Sequence, residues 1–214
     1  MDIQPHELPH RDFYRLLITT VAPRPIAWVS TINSEGIHNL APFSFFNVIC
    51  ATPPLLGFSP GIRTGDDRSR LGTGLKDTLR NVRETGEFVV NTVTFPVAEA
   101  MNLTSGDYES SVDEFEIARL TMRPSLHVRP PHVAESPVNF ECKLFQVLDF
   151  GTEVSGGSLV IGQIVSIHVE EAVLKNGKVD AQLLDLVGRM GGAQYCRTTD
   201  RFELARPDLN PEQK

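Results

Sequence analysis

Apolar and polar positions alternate over much of the chain, and turn residues interrupt the alternation at intervals. Residues 25–32 (PIAWVSTI) read as a strand, Asn33-Ser34-Glu35-Gly36 as a turn, and 37–46 as the returning antiparallel partner. Residues 55–59 (LLGFS) and 87–93 (EFVVNTV) form two more strands. A passage with Pro124, Pro130, Pro131 and Pro137 leads into two long strands, 138–150 (VNFECKLFQVLDF) and 158–170 (SLVIGQIVSIHVE). In the second, Val165, Ile167 and Val169 alternate with Ser166, His168 and Glu170, which predicts one wet face bearing the polar residues. His168 then reads as a surface histidine. Lys175-Asn176-Gly177-Lys178 has the Asn-Gly signature of a tight hairpin.

Helical spacing is confined to short stretches. Leu75, Leu79 and Val82 recur at i, i+4 and i+7, which predicts a helix over 75–85 stopped by Gly86. Pro96 opens a second helix through about 103, and Ser111-Val112-Asp113-Glu114 is a capping-box pattern for a third. Strands outnumber helices and do not alternate with them as βαβ units require. The pattern therefore predicts a mainly β chain, an antiparallel barrel with helical insertions. Long strands with a wet face leave room for a dimer partner. Nothing repeats and no linker divides the chain, so 1–214 reads as one domain, with a tail over 206–214 that is extended and poorly ordered.

Composition excludes several classes. Of 214 residues, 41% are hydrophobic and 22% charged, close to globular averages, so whole-chain disorder, collagen and coiled coil are excluded. A net charge of −7 disfavours a general nucleic-acid binder. No run approaches the roughly 20 apolar residues of a membrane span, and the start shows no secretory signal. Cys50, Cys142 and Cys196 are three, far apart, and without a CxxC pair. They read as small apolar residues in a reduced, cytoplasmic protein, with no metal site.

Candidate chemistry narrows to two regions. Gly57-Phe58-Ser59-Pro60-Gly61 matches the G-x-S-x-G nucleophile elbow, but the residue after the serine must supply an oxyanion N–H, and Pro60 has none. A hydrolase is thereby excluded, and Ser59 remains a hydroxyl at a strand end. Gly72-Thr73-Gly74 is followed by Asp77 where a dinucleotide fingerprint needs glycine, and no P-loop is present. By contrast, Lys76-Asp77-Thr78 opens a helix after a loop rich in glycine and arginine (Arg63, Arg68, Arg70). Free N–H groups, a partial positive charge, a lysine and a hydroxyl make an anion site there; a solvated loop capped by Thr73 or Asp77 is the competing interpretation. The second region is Asn39 to Asn47, where Pro42 makes the strand irregular. Phe43, Phe45 and Phe46 there could wall a planar heterocycle while Ser44 and Asn47 read its polar edge, or they could simply fill a core. The acidic stretch Asp107, Glu109, Asp113, Glu114 and Glu116 reads as a solvated helix surface.

Together the two regions resemble the flavin reductase-like, FMN-binding split-barrel family. The likeness is carried by Pro23-Arg24-Pro25-Ile26-Ala27-Trp28-Val29-Ser30-Thr31, by Gly36 to Asn39, and by Ala41-Pro42-Phe43-Ser44-Phe45-Phe46. Pro53-Pro54, Lys76-Asp77-Thr78, Asn81, Gly86-Glu87-Phe88-Val89-Val90-Asn91, Gly162-Gln163-Ile164-Val165 and Arg189-Met190-Gly191-Gly192 continue it, from about residue 15 to 197. The resemblance implies a homodimeric split barrel holding FMN near the dimer interface. It places Ser44, Phe45 and Asn47 along the isoalloxazine and Lys76, Asp77 and Thr78 on the phosphate. Ser59, Arg63 and Arg24 are further phosphate-side contributors, and Arg189 closes the site. It implies electron transfer from NADH or NADPH through FMN to free flavin, a partner monooxygenase or another acceptor. Hydride transfer needs no side-chain acid or base, so no catalytic residue is named. One departure stands out: relatives carry a Gly-Asp-His run on the nicotinamide side where this chain has Gly156-Gly157-Ser158. That keeps open an alternative, an FMN-holding electron carrier reduced by a protein partner.

Overall fold

In the computed structural model, the residues described are 2–62, 74–151 and 156–207. A helix, α1 (His10–Thr20), precedes four strands: β1 (Ala27–Ile32), β2 (His38–Phe43), β3 (Phe46–Cys50) and β4 (Leu55–Phe58). Then follow α2 (Asp77–Thr85), β5 (Glu87–Asn91), α3 (Ala98–Leu103) and α4 (Glu114–Ile117). The short pair β6 (Met122–Arg123) and β7 (His132–Val133) leads to the long strands β8 (Val138–Asp149) and β9 (Ser158–Val169). Last come the hairpin β10 (Leu174–Lys175) and β11 (Lys178–Val179), α5 (Ala181–Leu184), and the pair β12 (Val187–Arg189) and β13 (Tyr195–Arg197).

Seven strands make one antiparallel sheet in the order β2-β1-β5-β8-β9-β4-β3. The two edge strands, β2 and β3, are consecutive in sequence and separated by Ser44 and Phe45 alone. A two-residue connection cannot cross a flat seven-stranded sheet, because neighbouring strands are about 4.8 Å apart. The sheet must therefore curl until its edges meet. The result is the split barrel that the resemblance implied, with the Ser44-Phe45 corner at its seam.

Strand β1 is buried on both faces. Ala27 and Val29 point into the barrel with Leu56, Phe58, Phe88, Cys142 and Val160, under Leu79 and Val82 of α2. Ile26 and Trp28 point outward into a second core with Met101 of α3, Phe115 of α4 and Val187 of β12. The Trp28 indole donates to Thr104 Oγ1 at 2.8 Å, so its polar atom is satisfied inside that core. Gly162 opens space for the Phe88 ring: a Cβ at Gly162 would stand 2.2 Å from Phe88 Cζ.

Most local signals match the observed elements. Gly86 adopts φ 70° and its N–H caps the Val82 carbonyl of α2. Asn176 and Gly177 both have positive φ, as a type I′ hairpin turn requires. Four features differ. The strand expected over 37–46 breaks after Phe43, since the corner sends the chain to the opposite sheet edge. The second helix begins as a 3₁₀ turn, Phe95–Val97. The third is capped by Asp113, whose carboxylate accepts from Phe115 N–H, not by Ser111. The expected wet face of β9 is reversed at its far end. Val165 and Ile167 are 39% and 52% exposed, past a bulge opposite Glu141 and Cys142. Ser166 and His168 instead sit half-buried, and His168 shares Glu170 with Arg123 at 3.0 and 2.5 Å, with its ring 5.9 Å from that of His132. Along β9 the even-numbered residues from Ser158 to His168 are the more buried throughout, so the apolar Val165 and Ile167 fall in the exposed set.

Candidate functional site

A cleft of about 590 Å³ opens at the barrel seam. One wall is the corner itself: Pro42, Phe43, Ser44 and Phe45. A second is the strand end Ser59-Pro60-Gly61-Ile62, tied to the corner by the Ser59 N–H donating to the Phe45 carbonyl at 2.8 Å. Behind it, Gly156 and Gly157 allow close backbone approach. A Cβ at Gly157 would lie 3.0 Å from the Pro60 carbonyl oxygen, which accepts from Ser158 N–H. Gly61 bridges to Gly157 and does not enter a helix, so the chain after Ser59 lacks the geometry of a nucleophile elbow as well as its N–H donor. The third wall is α1, through His10, Phe13, Tyr14 and Leu17.

A smaller hollow of about 60 Å³ adjoins the cleft. Pro42 and Phe43 line both spaces. The small hollow holds Lys76, Asp77 and Thr78 at the N-terminus of α2, facing Asn39, Thr104, Asp107, Tyr108 and Glu114. Its volume is about a tenth of the cleft's. Lys76 Nζ pairs with Asp107 at 2.5 Å. Thr78 Oγ1 is buried and accepts from Asn39 Nδ2 at 2.9 Å. The Asp77 carboxylate is held by Arg80 and by Ser110 Oγ, so what Asp77 can offer an anion is backbone at the helix start. Glu114 departs from the solvated surface expected of its stretch. It is 6% exposed, and its Oε2 accepts from Leu40 N–H at 3.0 Å. Burial pushes its carboxyl up to about 7; the N–H of Leu40 and its own N–H pull the other way, and Asp77 and Asp113 add repulsion.

The other expected site residues are placed as follows. Ser44, Phe45 and Ser59 line the cleft, and Lys76, Asp77 and Thr78 the hollow. Asn47 is exposed on β3, and its Oδ1 accepts from Val48 N–H; it lines neither space. Arg24 also lines neither. Its guanidinium is buried and donates to the carbonyls of Ile18, Val21 and Met190 and to Ser44 Oγ. Arg189 lies in a separate groove beside α3, donating to the Gly192 carbonyl and stacking on the Tyr195 ring at 4.4 Å. Arg63 and Thr73 lie outside the described residues. The α1 wall was not anticipated from sequence. Its signal was available in His10, Phe13, Tyr14 and Leu17, spaced i, i+3, i+4 and i+7 directly after Pro9.

Three comparisons bear on this arrangement. The chain is 40% identical over 214 residues, 98% of each chain, to an uncharacterized protein of Halalkalibacterium halodurans. Its fold superposes on nitrilotriacetate monooxygenase component B from Bacillus cereus with TM-score 0.86 and 35% identity, covering 95% of this chain and 98% of that one. It superposes equally on Pseudomonas fluorescens 2-nitrobenzoate 2-nitroreductase, with TM-score 0.85 and 34% identity over 100% of both. The model of the flavin reductase like domain matches residues 20–193, most of the chain and both sides of the seam, and the chain therefore belongs to the flavin reductase-like family.

Proposed function

We propose that the cleft and the hollow together hold FMN, and that the protein is a flavin reductase-type oxidoreductase. The observation that carries this reading is that the two spaces adjoin, with Pro42 and Phe43 lining both. The larger space has the volume of a small-molecule site and is lined in part by Phe13, Tyr14, Phe43, Phe45 and Phe150, with the Ser44 and Ser59 hydroxyls on its border. The smaller sits around Pro42-Phe43 at the N-terminus of a nine-residue helix, with a lysine and a buried threonine. A flat tricycle joined by a flexible chain to one phosphate fits that pair. Ser44, Phe45 and Ser59 then border the ring, and Lys76, Thr78 and the Asp77 backbone take the phosphate.

Bound there, FMN supplies the redox chemistry, accepting hydride from NADH or NADPH and passing electrons to free flavin, a partner monooxygenase or another acceptor. The chain's own task is positional: aromatic walls exclude water, the corner orients the ring, and the helix start fixes the phosphate. The side chains bordering the cleft are apolar, hydroxylic or, in His10, an exposed imidazole, which suits a reaction that needs no protein acid or base. A second reading, an electron carrier reduced by a protein partner, is favoured by Ser158. It lines the cleft in the place of the histidine that the resemblance leads one to expect, and donates to Asp149 at 2.6 Å. Anaerobic addition of NADH or NADPH separates the two: rapid bleaching of bound flavin supports the first, and reduction by a partner reductase alone supports the second.

The same reading includes a homodimer. Ile49 and Leu159 meet over Gly57 on the outside of the sheet, 3.2 Å from where its Cβ would be, and Leu148 pairs with Leu159. With Val48 and Phe145 exposed nearby, this apolar face suits a second copy beside the seam. For the phosphate assignment, Lys76→Ala or Thr78→Val should weaken FMN about tenfold or more and riboflavin little, since charge-assisted hydrogen bonds contribute roughly 1.5–3 kcal/mol. Equal losses for both flavins, measured by fluorescence titration, would remove the phosphate from this hollow.

A further inference from the structure

The α1 wall of the cleft is not held by a core. None of its eleven residues is buried, although four of them line the cleft. A helix of this length is marginal by itself in water, and one without buried side chains gains little from packing. Arg24 provides the tether. Its Nη1 donates to the carbonyls of Ile18 and Val21 at 2.5 and 2.7 Å, at the C-terminal end of α1, where a cation also opposes the helix dipole. Its Nη2 donates to Met190 O at 3.0 Å and its Nε reaches Ser44 Oγ at 3.4 Å. The Arg24 backbone pairs with Arg189, which fixes the residue from which the guanidinium extends. On the other side Gly191 packs against Thr19, so closely that a Cβ at Gly191 would stand 2.8 Å from Thr19 Oγ1.

We propose that Arg24 is a positioning residue: it latches α1 against the Ser44 corner and so fixes the third wall of the flavin cleft without touching the flavin. This rests on the flavin reading above and assigns Arg24 a role different from the phosphate contact that the resemblance implied. A latch at the ring side makes a prediction that a phosphate ligand does not: loss of Arg24 affects every flavin equally, whatever lies at the end of its side chain.

The test compares wild type, Arg24→Gln and Arg24→Lys by amide hydrogen exchange without flavin, and by FMN and riboflavin titration. In Arg24→Gln, exchange should rise over residues 13–21 and stay unchanged in β8 and β9. Affinity for both flavins should fall by the same factor, roughly tenfold, or about 1.4 kcal/mol. Arg24→Lys should recover most of both properties, because one ammonium can bond the Ile18 and Val21 carbonyls that a single guanidinium nitrogen bonds now. If Arg24→Gln does not fold, Gly191→Ala displaces the end of α1 from the opposite side and should give the same common factor. A loss confined to FMN overturns the proposal, as does faster exchange spread over the whole sheet, or freed α1 with unchanged flavin affinity. If wild type binds neither flavin, the flavin reading fails, and the exchange data still decide whether Arg24 holds α1.

Discussion

Replacing Glu114 by glutamine should change how stability depends on pH more than it changes stability itself. The Glu114 carboxyl has an ordinary value of 4.5 and is raised to about 7 by burial between β2 and α2. Between these values the native chain keeps a proton that the unfolded chain has lost. Stability then falls as pH rises, by about 1.4 kcal/mol per unit over the window where one proton separates the two states. The contribution is complete below about pH 4.5 and is lost as pH passes through 7. Integrating the two titrations from about pH 5 to about pH 8 gives a loss of roughly 2.5 kcal/mol attributable to this group. The groups around it are Lys76 before α2, Asp77 and Arg80 from α2, His38 from β2, and Asp107, Tyr108 and Asp113 from the segment before α4. They remain in both proteins, so their titrations largely cancel in the comparison. Glutamine keeps a carbonyl oxygen for the Leu40 N–H and cannot ionise. Urea unfolding of the two proteins at matched concentration should therefore show curves that diverge with pH, with Glu114→Gln gaining about 2.5 kcal/mol relative to wild type by pH 8. Parallel curves across that range would show that Glu114 is ionised in the folded chain and would refute the argument.

Two further outcomes follow from packing. Gly162→Ala forces a methyl into the Phe88 ring and should destabilise by roughly 1–3 kcal/mol, read as a lowered urea midpoint with unchanged slope; an unaltered midpoint would mean that the ring moves freely. Ile49→Asp places a charge on the apolar outer face, 49% exposed in the single chain. Light scattering should show a dimer for wild type and a monomer for the variant, each with the same circular dichroism; a monomeric wild type would remove the dimer from the proposed function.

What local sequence determines here is what a few neighbouring residues can decide. Gly86 ends α2 because an αL residue must follow Thr85, and Asn176-Gly177 turns because both φ values are positive. The alternation in β1 fixes which side chains enter which core, and Pro60 excludes the oxyanion donor whatever the fold around it. The two segments assigned to the proposed flavin site are readable locally for the same reason. Each is a short segment, 39–47 and 76–78, whose residue types carry its chemistry.

The tertiary structure decided everything that depends on distant segments meeting. The strand expected over 37–46 splits because barrel closure, a property of seven strands together, puts the corner at the seam. The family resemblance implies that Arg24 is an anion ligand. In the fold it meets three carbonyls, two from the end of α1 and one from Met190, and these take most of its donors before any ligand does. Glu114 stands in an acidic run that reads as surface, but the fold buries it, and desolvation then outweighs the hydrogen bonds from Leu40 and from its own N–H. On β9 the apolar Val165 and Ile167 stay exposed while Ser166 and His168 are half-buried, because neighbouring segments rather than residue type decide which set is covered. Propensity and spacing act over a turn or a strand, whereas burial and the pairing of polar groups are set by neighbours up to 166 residues away.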